Sequence, residues 1–286
     1  MCDEHQVASW GRAVLSRRQM GAGALAGAAA ACAPVTRSGG TGSALAESAV
    51  SFATSAGTMD AFFVHPARGR HPAVLLWPDI AGLREVKRQM ARRLAASGYA
   101  VLVVNPYYRD VRGEQFADFA TFAAQGGFQT VTPWRQKLDA RAVMQDAQAA
   151  AEWLGRQEAV DPQRGIGTQG YCMGGPFTVW SVAAALRIRA AASFHGGGLV
   201  REGEQSPHRM LRADAQYLFA IARNDDAQDP AAKTTLRAAA DAARARAEIE
   251  VYPADHGWCV PDSPAYDEPQ AERAWTRLLA LYAAAL

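Results

Sequence analysis

Three side-chain types, well separated along the chain, could together carry out acyl transfer: a thiol at Cys172, a carboxylate at Asp225 or Asp226, and an imidazole at His256. Such chemistry needs an attacking atom, a base to take its proton and an acid to orient the base. Cys172 sits in Gly170-Tyr171-Cys172-Met173-Gly174-Gly175, where a strand-like run from Ile166 enters a tight turn and a helix-forming run from Phe177 to Arg187 leaves it. An atom held at the apex of so sharp a turn needs strained backbone angles and small neighbours two residues away on each side. Both of those neighbours are glycine. The competing interpretation is a buried structural cysteine beside a glycine turn, since free Cys is among the most buried residue types.

The elements around these residues set their positions. Ala73–Trp77 is a continuous apolar run, as a strand buried on both faces requires. Leu83, Val86, Met90 and Leu94 recur at helical spacing and stop at Gly98, and Tyr99–Val104 is the next strand. Val50–Thr54 and Met59–His65 precede them as two strands joined at Ala56-Gly57. Tyr107–Pro133 breaks the rhythm as an excursion over the sheet edge, rich in phenylalanine, which is either a core stripe or a pocket wall. A long helix is expected over Trp134–Glu158. Strands follow at Ala190–Phe194, Gln216–Ala222 and Ile249–Tyr252, a helix at Ala231–Arg246, and a closing helix from about Glu268. The alternation implies a mostly parallel sheet covered by helices. Cys172, the Asp225 loop and His256 each follow a strand, in the chain order nucleophile, acid, histidine that α/β-hydrolases use. His195 also follows a strand but precedes the acid and falls outside that order. Counting along the strand selects Asp225 as the acid, whereas counting back from Pro230 selects Asp226.

With 286 residues, 49% of them hydrophobic, and a formal net charge of +2, the chain suits one α/β domain with a sizeable core. Its basic residues are scattered, which argues against a nucleic-acid surface. The four cysteines, at 2, 32, 172 and 259, show no CxxC spacing, so neither a zinc site nor a thioredoxin-type motif is indicated. No apolar run is long enough for a convincing membrane span. Residues 1–46 read as an export signal and linker, leaving 47–286 as the folded domain. Arg17-Arg18 before the weakly apolar Gly21–Ala33 resembles a twin-arginine signal. Ala29-Ala30-Ala31-Cys32 loosely resembles a lipobox, which would anchor the protein through Cys32, and Ala44-Leu45-Ala46 is an alternative cleavage site. The expectation is a monomer delivered to the periplasm by the twin-arginine machinery.

Gly170–Gly175, the Asp225 loop, Tyr252-Pro253-Ala254-Asp255-His256 and Asp79-Ile80-Ala81-Gly82 together resemble the dienelactone hydrolases, over about residues 50–286. The resemblance implies an α/β-hydrolase fold with a Cys-His-Asp triad that opens small lactones or esters without a cofactor or metal. It further implies that Asp79 contacts the resting thiol and that the backbone N–H groups of Ile80 and Met173 form the oxyanion hole. Asp79 is one methylene shorter than the glutamate usual there, and its alternative role is to cap the helix beginning near Leu83. Where the family places a carboxylate-binding arginine after the histidine, this chain has Val260. Arg109, with Tyr108 beside it, is the candidate for a second such arginine, and Trp258 is a further candidate for lining the substrate site. Cys259, three residues after His256, raises the question of a disulfide with Cys172. A catalytically inert binding protein of the same fold would be expected to lack a triad member, and none is missing.

Overall fold

The computed structural model describes residues 44–286. The twin-arginine pair, the Ala/Gly run and Cys32 lie outside the described residues. Eight strands form one sheet: β1 Leu45–Thr54, β2 Gly57–Pro66, β3 Ala73–Trp77, β4 Ala100–Val104, β5 Ile166–Tyr171, β6 Ile188–Phe194, β7 Gln216–Ala222 and β8 Arg246–Tyr252. Their spatial order is β1-β2-β4-β3-β5-β6-β7-β8. β1 and β2 form an antiparallel hairpin, and β2 runs antiparallel to β4. From β4 to β8 every pairing is parallel. β3, β4 and β5 are wholly buried, which explains why β3 and β4 read as unbroken apolar runs.

Helices cover both faces. α1 (Glu85–Ala96) and the C-terminal α8 (Glu268–Ala285) lie on one side, where Leu94, Leu278 and Tyr282 pack against Val74, Val101 and Ala192. The opposite layer holds α4 (Ala140–Gly155), α5 (Gly174–Ala184) and α7 (Ala232–Ala243), with Val143, Leu154, Val179 and Leu236 packed against Leu75, Leu102 and Ile166. The excursion after β4 carries two short helices, α2 (Phe119–Ala124) and α3 (Gly127–Arg135). Its phenylalanines make a core stripe: Phe122 meets Phe116, Phe119 and Phe128 at ring separations of 5.1, 5.5 and 4.6 Å. The single helix expected over Trp134–Glu158 is divided. Asp139 caps α4, its side chain accepting from Ala142 N, so the first residues of that span belong to α3 and a turn.

β1 begins at Leu45, inside the stretch read as linker, and Leu45 and Ala46 pair with Pro66 and His65. A cut after Ala46 would therefore remove the first two residues of a ten-residue strand. The chain leaves β4 on one side of β3 and returns as β5 on the other, so the strand order reverses next to β3. Ligands of open α/β sheets bind at such a point, outside the strands' C-terminal ends.

Candidate active site

The site is assembled from the loops that follow β3, β5, β6, β7 and β8 at this edge. Cys172, immediately after β5, has φ +52°, a left-handed conformation that non-glycine residues rarely adopt. The turn is tight enough to explain its glycines. A Cβ on Gly170 would lie 2.0 Å from Gly174 O, and one on Gly174 would lie 2.6 Å from Pro78 O. The second contact also presses the turn against the end of β3, bringing Met173 beside Ile80. Met173 immediately precedes α5, whose first amides have no intrahelical partner. Tyr107 ties the two neighbours together: its hydroxyl donates to Ile80 O at 2.7 Å and lies 3.4 Å from Met173 Sδ.

Asp225, in the first turn of α6 (Arg223–Gln228), places Oδ2 2.8 Å from His256 Nδ1. Asp226 instead binds Lys233 Nζ, at 2.6 and 2.7 Å. The loop after β8 is fixed to the same turn, because His256 N donates to Asn224 Oδ1 at 2.8 Å. With Nδ1 occupied by the acid, His256 offers its other nitrogen to Cys172, and the two side chains are hydrogen-bonded. Burial by itself would disfavour the imidazolium. The Cys172 sulfur and the Asp225 carboxylate outweigh it and push the His256 pKa up to about 10. Cys172, His256 and Asp225 are thus brought together at the C-terminal ends of β5, β8 and β7.

Asp79 has different company. Arg84 donates to both carboxylate oxygens, at 2.7 and 3.0 Å, and Lys87 Nζ forms an ion pair with Oδ2 at 2.7 Å. Ala81 N donates to Oδ1 at 3.0 Å. Arg84 also grips Asp262 at 2.7 and 2.8 Å, and Asp262 accepts from Phe119 N at the start of α2. Burial works against the Asp79 carboxylate, but the two cations dominate and hold its pKa well below the usual range. Its charge is thereby committed to a buried cluster joining the loops after β3 and β8 to the excursion.

The proposed substrate contacts are similarly engaged. Arg109 makes a two-pronged ion pair with Asp146 of α4, at 2.7 and 2.9 Å, and the Tyr108 hydroxyl donates to the same carboxylate at 2.7 Å. Trp258 is fully buried, stacked on Tyr252 with ring centroids 5.1 Å apart. Cys259 is a free thiol whose pKa burial drives up. It belongs to the apolar cluster on the α1/α8 face, whereas Cys172 belongs to the opposite one. A cavity of about 350 Å³ opens beside His256 and Asp225, lined also by Leu199, Arg201, Ile221 and Leu236. A second cavity, about 170 Å³, lies between α1 and α8 with Cys259 in its wall and is separate from the Cys172 line. Tyr107 and His195 are the neighbours that sequence reasoning passed over. Tyr107 stands one residue before Tyr108, and His195 precedes the acid in the chain.

Fold and site together define an α/β-hydrolase. The dienelactone hydrolase family model matches residues 59–286, and the chain belongs to that family. Among its relatives is a Salmonella typhi protein named putative carboxymethylenebutenolidase, 30% identical over 232 residues, covering 79% of this chain and 82% of that one. An Escherichia coli K12 protein of the same name is 30% identical over 228 residues, covering 77% and 80%. A solved structure named putative dienelactone hydrolase, from Klebsiella pneumoniae, superposes with a TM-score of 0.70 at 27% identity, covering 84% of this chain and 99% of that one.

Proposed function

We propose that the protein hydrolyses small carboxylic esters or lactones through a thioester on Cys172. The observation that carries this reading is the hydrogen-bonded line Cys172–His256–Asp225 at the C-terminal ends of β5, β8 and β7. The Cys172 thiolate attacks the substrate carbonyl, and the N–H groups of Ile80 and Met173 receive the developing oxyanion. The carbon–oxygen bond breaks, and protonated His256 gives its proton to the departing alkoxide, which in a lactone remains attached to the acyl group. Neutral His256 then takes a proton from water, the resulting hydroxide attacks the thioester, and the carboxylic acid leaves as Cys172 is regenerated. Asp225 holds the imidazole in orientation through both steps. The cavity beside His256 accommodates the substituents flanking the scissile bond. A substrate carboxylate would find Arg109 already bound to Asp146, which favours uncharged esters and lactones. Turnover of a chromogenic short-chain ester that disappears in Cys172→Ala is the expected result; a fully active variant would refute the mechanism.

The twin-arginine pair supports a second proposal, export to the periplasm as a folded protein, with Cys32 available as a lipid anchor. Replacing Arg17 and Arg18 by lysine should leave full-length precursor in the cytoplasm, and normal processing of that variant would argue against the signal.

A further inference from the structure

His195, immediately after β6, is 1% exposed and has φ +40°. Together with Cys172 and Arg244, it is one of three non-glycine residues with positive φ among the described residues. Two of the three therefore stand side by side at the candidate site. Cys172 N donates to Phe194 O and to His195 Nδ1, each at 3.1 Å, so the backbone of the strained cysteine is held by the turn at the end of the next strand. The two turns also touch through their backbones. A Cβ on Gly175 would lie 2.4 Å from Gly196 Cα, closer than any side chain allows. On its other side the His195 ring packs against His256, with centroids 4.6 Å apart, and against the edge of Trp258 at 5.3 Å. His195 thus contacts both members of the thiol–imidazole pair.

We propose that His195 is a positioning residue for the hydrolysis: a neutral imidazole whose Nδ1 fixes the backbone of Cys172 while its ring sets the face of His256. This rests on the Cys172 mechanism above. Nδ1 can accept only while it carries no proton, which places the hydrogen on Nε2. The surroundings keep the ring neutral. Burial disfavours the imidazolium, His256 and Lys87 of α1 add to the effect, and Asp79 and the residue's own backbone oppose it more weakly. The left-handed backbone also explains which residue could take over. Asparagine tolerates positive φ better than other non-glycine residues, and its Oδ1 occupies the place of Nδ1. Phenylalanine preserves the ring against His256 and offers no acceptor.

Three variants separate the contributions: His195→Asn, His195→Phe and His195→Gln, whose acceptor stands one methylene farther out. Each is compared with wild type and Cys172→Ala for kcat and KM on 4-nitrophenyl butyrate and for the rate of Cys172 alkylation by iodoacetamide. His195→Asn should keep kcat within about twofold, and His195→Phe and His195→Gln should lose about tenfold in kcat with KM nearly unchanged, the scale of one hydrogen bond. Alkylation should slow in the same order. A His195→Phe protein as active as wild type, or His195→Asn as impaired as folded His195→Gln, would overturn the assignment. Should His195→Phe fail to fold, the Asn–Gln pair still decides. Turnover surviving in Cys172→Ala would instead sink the mechanism, and the alkylation rates would then test His195 alone.

Discussion

Two aspartates stand at the C-terminal ends of strands in this sheet and have opposite kinds of partner. Asp225, after β7, has a histidine as its charged partner, and that histidine in turn faces a thiol. Asp79, after β3, is gripped by a guanidinium and an ammonium that are both fully shielded from solvent. A carboxylate whose partner can gain or lose a proton remains part of a proton-transfer path. One gripped by two buried cations is held in place, because moving it would strand both of their charges. The chemistry of the partner, more than the place at a strand end, therefore separates the two carboxylates.

The same isosteric change at both places should separate these roles. Asp225→Asn removes the orienting charge and is expected to lower kcat by about 10³–10⁴-fold with little change in the unfolding midpoint. Asp226→Asn, beside it, should stay within about twofold, its surface pair contributing little. In Asp79→Asn the order reverses. Breaking a buried pair costs about 3–5 kcal/mol, to be read by urea unfolding, while the variant's folded fraction keeps most of its kcat. A large kcat loss in Asp79→Asn at unchanged stability would show that the carboxylate reaches the reaction after all. Arg109→Met extends the contrast to the excursion, where a buried Asp146 would lose its cation. We expect a stability loss of about 3 kcal/mol and an unaltered KM for neutral esters. The smallest effect is spectroscopic. Cys172 is the largest of the influences that raise the His256 pKa, so in Cys172→Ser its titration, followed by imidazole NMR, should fall from about 10 toward the ordinary range.

Much of this arrangement was legible in the chain because it is local. Apolar runs mark β3 and β4, glycines two residues either side of Cys172 mark the turn, and Asp225 and His256 follow recognisable strands. What escaped detection depends on pairings that cross the sheet. Arg84 and Asp262 are 178 positions apart, so no spacing rule ties Asp79 to a closed cluster. Arg109 looks available until Asp146, 37 residues later, is seen beneath it. His195 precedes the acid and so falls outside the chain order, yet its Nδ1 accepts from Cys172 N and its ring packs on His256, contacts that chain order does not register. The divided helix after Trp134 has a simpler cause, since apolar periodicity carries across a one-turn break that only the Asp139 cap reveals.

The dryness of the Asp79 cluster has a consequence for how the protein responds to salt. Mobile ions weaken charge pairs they can surround, within a screening distance of about 8 Å at physiological strength. Arg93–Glu272, which links α1 to α8, and Arg277–Glu248, which links α8 to β8, lie in reach of solvent. Arg84 and Lys87 are not. Raising ionic strength should therefore relax the outer helical layer while the loops that carry the candidate site stay in register.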